Sequence, residues 1–543
     1  MNRRAFLKSV KTPGSPLSVA STRTVLSGTA PYAGEWTANE VAHLLKRTMF
    51  GATRQDVEYF LTMTPGEAVD ELLTDASAVS PPVRDYGLIE TLNGTYDDAG
   101  VAMGATWIND FTPIADPNVR GPINALRIES LHKWWAGLII NQNRTIFEKM
   151  VLFWHHHFSV QKEEVEQHIP LYRHHDLLRR NALGNVRQLT KDVTTDPAML
   201  FHLNGYLNSK LAPDENYARE LQELFTVGKG PDSLYTEDDV IAAARVLTGW
   251  RVNSDTFEAF LEPAMHDTGP KTFSAFYNNT TITGSADALD ELDRFINMIF
   301  ATNECAKFFC RKLYRFFVNS NIDDSVETSV ISPLASILRD NNYEIKPVLA
   351  ALFKSEHFFD PVNRACYIKS PLDFIIGAMR EFNVPFPSYT DYAAGYPLFN
   401  NLYSRAAEMQ QNLFQPPDVS GWPAYHQEPM FYELWINSNS LPRRAKFTDN
   451  MIDEGIVNVR TFAANTSNPS DPDQLITDVV NLILRYPLSD NSKTYIKNTF
   501  LVNNTGDNNV WTNAWTSNNN AVINSSLANM FKFITNLPEY HLC

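Results

Sequence analysis

The sequence predicts a mainly α-helical protein: one large helical domain with a short β-hairpin and long loops. Three observations carry this. Apolar residues recur at three- and four-residue spacing through most of the chain after residue 36. Period-two alternation is scarce. Thr-x-x-acid signals such as Thr37-Ala38-Asn39-Glu40 stand where helices should start.

The elements follow in order. Residues 1–35 are rich in Ser, Thr, Pro and Gly and read as a leader or linker. After Thr37, the residues Val41, Leu44 and Leu45 form a helical stripe. Thr53 caps a second helix carrying Val57, Phe60 and Leu61, and 66–76 give a third. Residues 77–120 read as loop. Helical spacing resumes from Ile123 through Trp134, Trp135 and Ile139, and again from Thr145 into Trp154. Further helices are predicted at 171–181, 186–194, 214–227, 237–248, 287–300, 303–319, 329–340, 345–354, 370–381 and 403–413. The hairpin is predicted within Thr272–Ile282, turning at Asn278-Asn279. The main helical domain thus spans 36–450. The polar 451–543 region holds one or two helices, the clearest around Leu475–Ile483, and packs on the main domain.

Composition narrows the function. Of 543 residues, 44% are hydrophobic, which excludes a disordered chain. The net charge of −16 argues against a nucleic-acid binder that works by neutralising phosphates. No apolar run of ~18 residues is present, so no transmembrane helix is expected. Four cysteines are too few for a disulfide scaffold. Met1-Asn2-Arg3-Arg4-Ala5-Phe6-Leu7-Lys8 is similar to a twin-arginine export signal, although Lys11 and two prolines interrupt the apolar stretch behind it. A periplasmic or extracellular location is therefore expected, or a cytoplasmic one if this segment is not a signal.

Chemistry concentrates where ligand-type side chains interrupt apolar helices. Glu148 precedes His155-His156-His157 by two turns. In a continuous helix His155 and His157 diverge by ~200°; in an extended exit they share a side. Neutral imidazole is a common transition-metal ligand. Asn216, Glu220 and Glu223 fall on one helix stripe beside Leu221, Leu224 and Phe225, with Arg219 between them. Carboxylates at an apolar border are costly unless paired or metal-bound. Thr236-Glu237-Asp238-Asp239 reads as a capped helix start. His266-Asp267, with Lys271, sits in a Gly-Pro turn that can complete a site. Gln415-Pro416-Pro417-Asp418-Val419-Ser420-Gly421-Trp422 is a rigid aromatic loop.

At these residues the chain resembles the bacterial family called domain of unknown function 1800. The resemblance rests on His43-Leu44-Leu45-Lys46-Arg47 with Phe50-Gly51-Ala52-Thr53, on the Trp154-His155-x-His157-Phe158 signature, and on Asp196-Pro197 and Asn216-Tyr217-Ala218-Arg219-Glu220. Thr248-Gly249-Trp250, His266-Asp267 with Lys271, Lys369-Ser370-Pro371, and Pro416-Pro417 with Gly421-Trp422 complete it. It covers roughly 38–445, with a weaker tail. It implies an exported protein often encoded beside a sulfatase-like partner. It implies no reaction.

Three functions are open. The first is an enzyme, hydrolytic or oxidative, on a carbohydrate-like substrate. Its metal (Zn, Fe or Mn) would be held by His155, His157, Glu220, Glu223, His266 and Asp267. Glu220, Glu223, Arg219 and Lys271 are its candidate catalytic residues. The second is a noncovalent haem enzyme with His155 or His157 axial. The third is a non-catalytic envelope scaffold or adaptor.

Overall fold

The computed structural model describes residues 28–91, 94–111, 117–422, 432–484 and 486–543. It is mainly helical, with three two-stranded antiparallel sheets among the described residues. Of the expected leader, residues 1–27 lie outside the described part. Residues 28–35 already lie on the body, where Tyr32 N donates to Lys354 O at 2.7 Å.

The body opens with α1 (Ala38–Thr48), α2 (Arg54–Phe60) and α3 (Pro65–Leu72). Each has a reciprocal cap. Thr37, Thr53 and Thr64 accept from the first-turn N–H groups, and Glu40, Asp56 and Glu67 return the bond. The hairpin β1 (Ile89–Thr91) and β2 (Gly94–Tyr96) follows. Next come α4 (Pro117–Ile140), α5 (Phe147–His157), α6 (His168–Arg180), α7 (Val186–Thr194), α8 (Asn216–Glu220) and α9 (Glu237–Val246). α8 widens into a π-turn over Leu221–Thr226. Hairpins β3 (Trp250–Val252) with β4 (Ala259–Leu261) and β5 (Lys271–Thr272) with β6 (Thr281–Ile282) precede α10 (Ala288–Phe300) and α11 (Asn303–Phe317). The rest is built on α12 (Ser332–Asp340), α13 (Ile345–Phe353), α14 (Pro371–Glu381), α15 (Tyr392–Glu408), α16 (Ser440–Asp453), α17 (Pro472–Ile483) and α18 (Asn520–Thr535), with shorter turns between.

Most buried apolar side chains form one core reaching from Val41 to Cys543, and Tyr86, Ile89, Val119 and Ile123 form a small second cluster. α4 and α15 pack along each other, and α14 threads the centre with nearly every side chain buried. Gly51, at φ +75°, lets the α1–α2 turn approach α14: a Cβ there would lie 2.7 Å from the Gly377 Cα. No helix among the described residues is long and apolar enough to cross a membrane.

Three local expectations need correction. The helix placed at 403–413 is α15, starting at the Asp391 cap and ending at Glu408. It carries Pro397 in its interior, ahead of the start the sequence predicted. In the 272–282 hairpin the strands are only 271–272 and 281–282, because Ser274 caps a 3₁₀ turn over Ala275–Tyr277. The region after 450 is more helical than its polar composition suggested. Its Asn, Asp and Ser residues act as N-caps, at Asn458, Asp471, Ser489 and Asn519.

Charged residues inside this core come as matched pairs. Lys149 meets Asp373 of α14, and its ammonium lies 4.4 Å from the Phe50 ring centroid. Arg179 grips Glu148 with two bonds of 2.7 and 2.8 Å. Removing one member of a buried pair strands the other charge. We expect Asp373→Ala to lower unfolding free energy by about 3–5 kcal/mol. The double variant Lys149→Met/Asp373→Leu should recover most of it. Urea denaturation of the three proteins checks this.

Candidate functional site

The first two histidines of the α5 triplet pack against the 411–422 loop. α5 stays helical through all three histidines, so His155 and His157 face opposite sides. His155 Nε2 accepts the Phe414 N–H at 3.1 Å, with its ring against Trp135, Phe414 and Trp422. His156 packs against Trp422 with ring centroids 4.5 Å apart and the planes tilted by 35°. On the far side His157 Nε2 donates to Phe225 O at 3.0 Å, in the π-turn after α8. The loop is pinned beyond the rings as well. Lys162 N donates to Phe414 O, Gln161 Nε2 to Pro416 O, and Ser159 Oγ to Val419 O.

All three rings are buried, and burial is the main reason they resist protonation. His156 is pushed down to about 3, with Lys149 adding to the effect. His157 is also pushed to about 3 by burial and then Lys312. His155 falls well below the ordinary histidine range, through burial and then its neighbours His156, His174, His175 and His132. His175 packs between Trp134, Trp135 and Phe414 with neither ring nitrogen hydrogen-bonded. His174 differs: Nδ1 lies 3.0 Å from Asp196 and Nε2 2.9 Å from Phe158 O.

The remaining candidates lie apart from the triplet. Glu223 pairs with Lys229. Arg219 holds Glu215 at 3.0 Å and Glu237 at 2.6 Å. Asp267 pairs with Arg245 at 2.7 Å. His266 Nδ1 donates to Thr248 O at 2.8 Å, and its Nε2 lies 3.4 Å from Glu291. Lys271 is fully buried against Glu291 at 2.5 Å. The Thr248-Gly249-Trp250 motif holds this group in place. Thr248 Oγ1 accepts the Asp267 N–H, and Gly249 adopts φ +92° so that its backbone can pass His266. Glu220 alone of the candidates has neither an ion pair nor a hydrogen bond among the described residues. It is half-buried. Burial raises its carboxyl, the charge of Asp418 adds to this, and Lys229 and Arg219 oppose it.

The expected ligand set is therefore not gathered. Among the described residues no three His, Cys, Asp or Glu side chains form a group able to hold a metal ion. His155 and His157 direct their Nε2 atoms to backbone groups on opposite faces, which also leaves neither free at Nε2 for an axial bond to haem.

Sequence reading missed a cleft between α4, the 162–165 turn and α15, lined by Asn124, His132, Lys162, Gln167, Tyr403 and Ser404. Its volume is about 940 Å³. It carries no motif. The only sequence signal was a histidine, His132, on the otherwise apolar stripe of α4.

A family described as "Protein of unknown function (DUF1800)" matches residues 43–542, so the likeness extends through the C-terminal helices. No curated protein and no solved structure matches the chain.

The buried imidazoles set a pH dependence. Their folded-state affinity for protons is below that of the unfolded chain. Their contribution is therefore complete above the ordinary histidine value of ~6.5, and falls as pH drops from there toward about 3. Each costs ~1.4 kcal/mol per pH unit in that window. Between pH 7.5 and 5.5, His156 and His157 together should remove about 3 kcal/mol of stability in urea denaturation. A flat profile would show that the rings take up protons in place.

Proposed function

The chain belongs to the DUF1800 family, and from that premise we propose that it is a non-catalytic, extracytoplasmic scaffold or adaptor. Its partner would be the sulfatase-like protein that family resemblance associates with it. One observation carries this reading: the motif side chains are used up inside the fold. His155, His157, Glu223, Arg219, Asp267 and Lys271 each have an intrachain partner; His155 ties down the 411–422 loop, and Asp267 with Arg245 and Lys271 with Glu291 tie down the 248–271 segment. Pairing of this kind fixes a surface in one shape, which suits recognition. The surface so held carries Pro417, Asp418, Glu220 and Tyr235. The Zn, Fe or Mn site expected from sequence has no gathered ligand set to support it.

A second reading keeps an enzyme without a metal. It rests on Glu220, whose carboxyl is raised toward neutrality beside Asp418. A carboxyl pair of this kind can divide acid and base roles on a neutral, carbohydrate-like substrate.

Co-expression with the adjacent sulfatase-like protein tests the first reading. Size-exclusion chromatography with light scattering should show a defined complex, and Glu220→Arg/Asp418→Arg should weaken it by at least about tenfold without changing the melting temperature. Elemental analysis should find substoichiometric metal. A stoichiometric metal, or no complex at all, contradicts the reading. Hydrolysis of neutral oligosaccharides that Glu220→Gln abolishes would establish the second instead.

A further inference from the structure

α15 and α16 meet at one end and leave a hollow between them. At the junction Arg443 reaches the Glu408 carboxylate at 3.3 Å, and Asn439 Nδ2 donates to the Glu408 carbonyl. From there α15 leads back toward Pro397 and α16 forward toward Glu454. One face of each helix lines a hollow of about 640 Å³, which Met379 of α14 and Phe386 beyond it also line.

The lining is mostly apolar. Met379, Leu402, Met409, Phe447 and Met451 are its buried members. Methionine is flexible and polarisable, and three of them make a surface that can adapt to a guest. At the end away from the junction, Leu398 is 46% and Ile456 43% exposed. Large apolar groups left open within a concave site mark a place where something binds.

Positive charge gathers at the junction. Arg405 and Arg443 share the single carboxylate of Glu408, at 3.2 and 3.3 Å. Lys446 follows Arg443 by one helical turn, is exposed, and forms no ion pair among the described residues. That end therefore carries three cations against one carboxylate. The other carboxylate in the lining, Glu454, stands about three turns further along α16, at the apolar end.

We propose that this hollow binds a single-chain anionic amphiphile of the fatty-acid class. Its carboxylate meets Arg405, Arg443 and Lys446, and its acyl chain lies over the methionines toward Leu398 and Ile456. Cavities of this size, apolar with a few convergent polar groups, accept such ligands. From Glu408 back to Pro397, α15 rises about 16 Å, which gives room for a medium-length acyl chain. Charge at one end and apolar surface at the other match a linear amphiphile; an amphipathic partner helix would instead carry its charge along one face. The inference stands apart from the adaptor reading, since it uses no residue of the surface around Glu220 and Asp418.

Isothermal titration calorimetry of the full chain with laurate, kept below its micellar concentration, tests it. One laurate should bind per chain. Dodecyltrimethylammonium, with the same tail and the opposite charge, should not displace it. The double variant Arg443→Glu/Lys446→Glu and, separately, Leu398→Glu should each weaken laurate binding by at least about tenfold. Leu211, 80% exposed in a turn outside the hollow, supplies the control, and Leu211→Glu should bind as the parent does. All four side chains are exposed, so the variants should melt with the parent, and circular dichroism checks that. No saturable binding of laurate, displacement by the cationic amphiphile, undiminished binding in either test variant, or an equal loss in Leu211→Glu overturns the proposal.

Discussion

The constraint on which the fold depends is the burial of uncharged imidazoles at the C-terminal end of α5. His155 can accept the Phe414 N–H only while Nε2 is unprotonated, and burial beside Lys149 keeps His156 neutral against Trp422. The low-dielectric surroundings impose that neutrality, and the neutral rings in turn seat the loop. Through Phe414, Pro416 and Val419 the same loop is tied to the segment after α5. Through Phe225, α5 is tied to the π-turn of α8. A proton on any of these rings would disturb contacts between segments more than 60 residues apart in the chain.

This arrangement gives the motif a different meaning from the one its composition suggests. Histidines and carboxylates in apolar helices look like metal ligands. A helix, however, aims His155 and His157 at opposite neighbours, and a guanidinium or ammonium stands beside most of the acids. The polar residues act as bolts between segments, with the Nδ1 atoms of His155 and His157 buried without a hydrogen bond among the described residues. Glu220 and Lys162 form no ion pair among the described residues and are half-buried, whereas the unpartnered nitrogens of His132 and His175 are sealed inside.

Much of this was legible in the sequence. The threonine caps at 37, 53 and 236 and the apolar stripes placed the helices well, since capping and burial are local or periodic signals. Two things were not legible. Which atom of His155 or His157 is engaged depends on Phe414 and Phe225, residues distant in sequence that contribute backbone groups without any side-chain signature. The cleft was also invisible, because its lining comes from α4, the 162–167 segment and α15, which are distant in sequence. In the C-terminal region, asparagines that read only as polar composition are helix caps.

The most direct test of the account is a long-range ¹H–¹⁵N spectrum of the imidazole nitrogens at pH 5.5, with and without added Zn²⁺. The account predicts that His155, His156 and His157 are neutral at that pH, with His155 protonated on Nδ1 and His157 on Nε2, and that none of the three responds to the metal. Imidazolium signals from these rings, or a metal-induced shift of their Nε2 resonances, would contradict it.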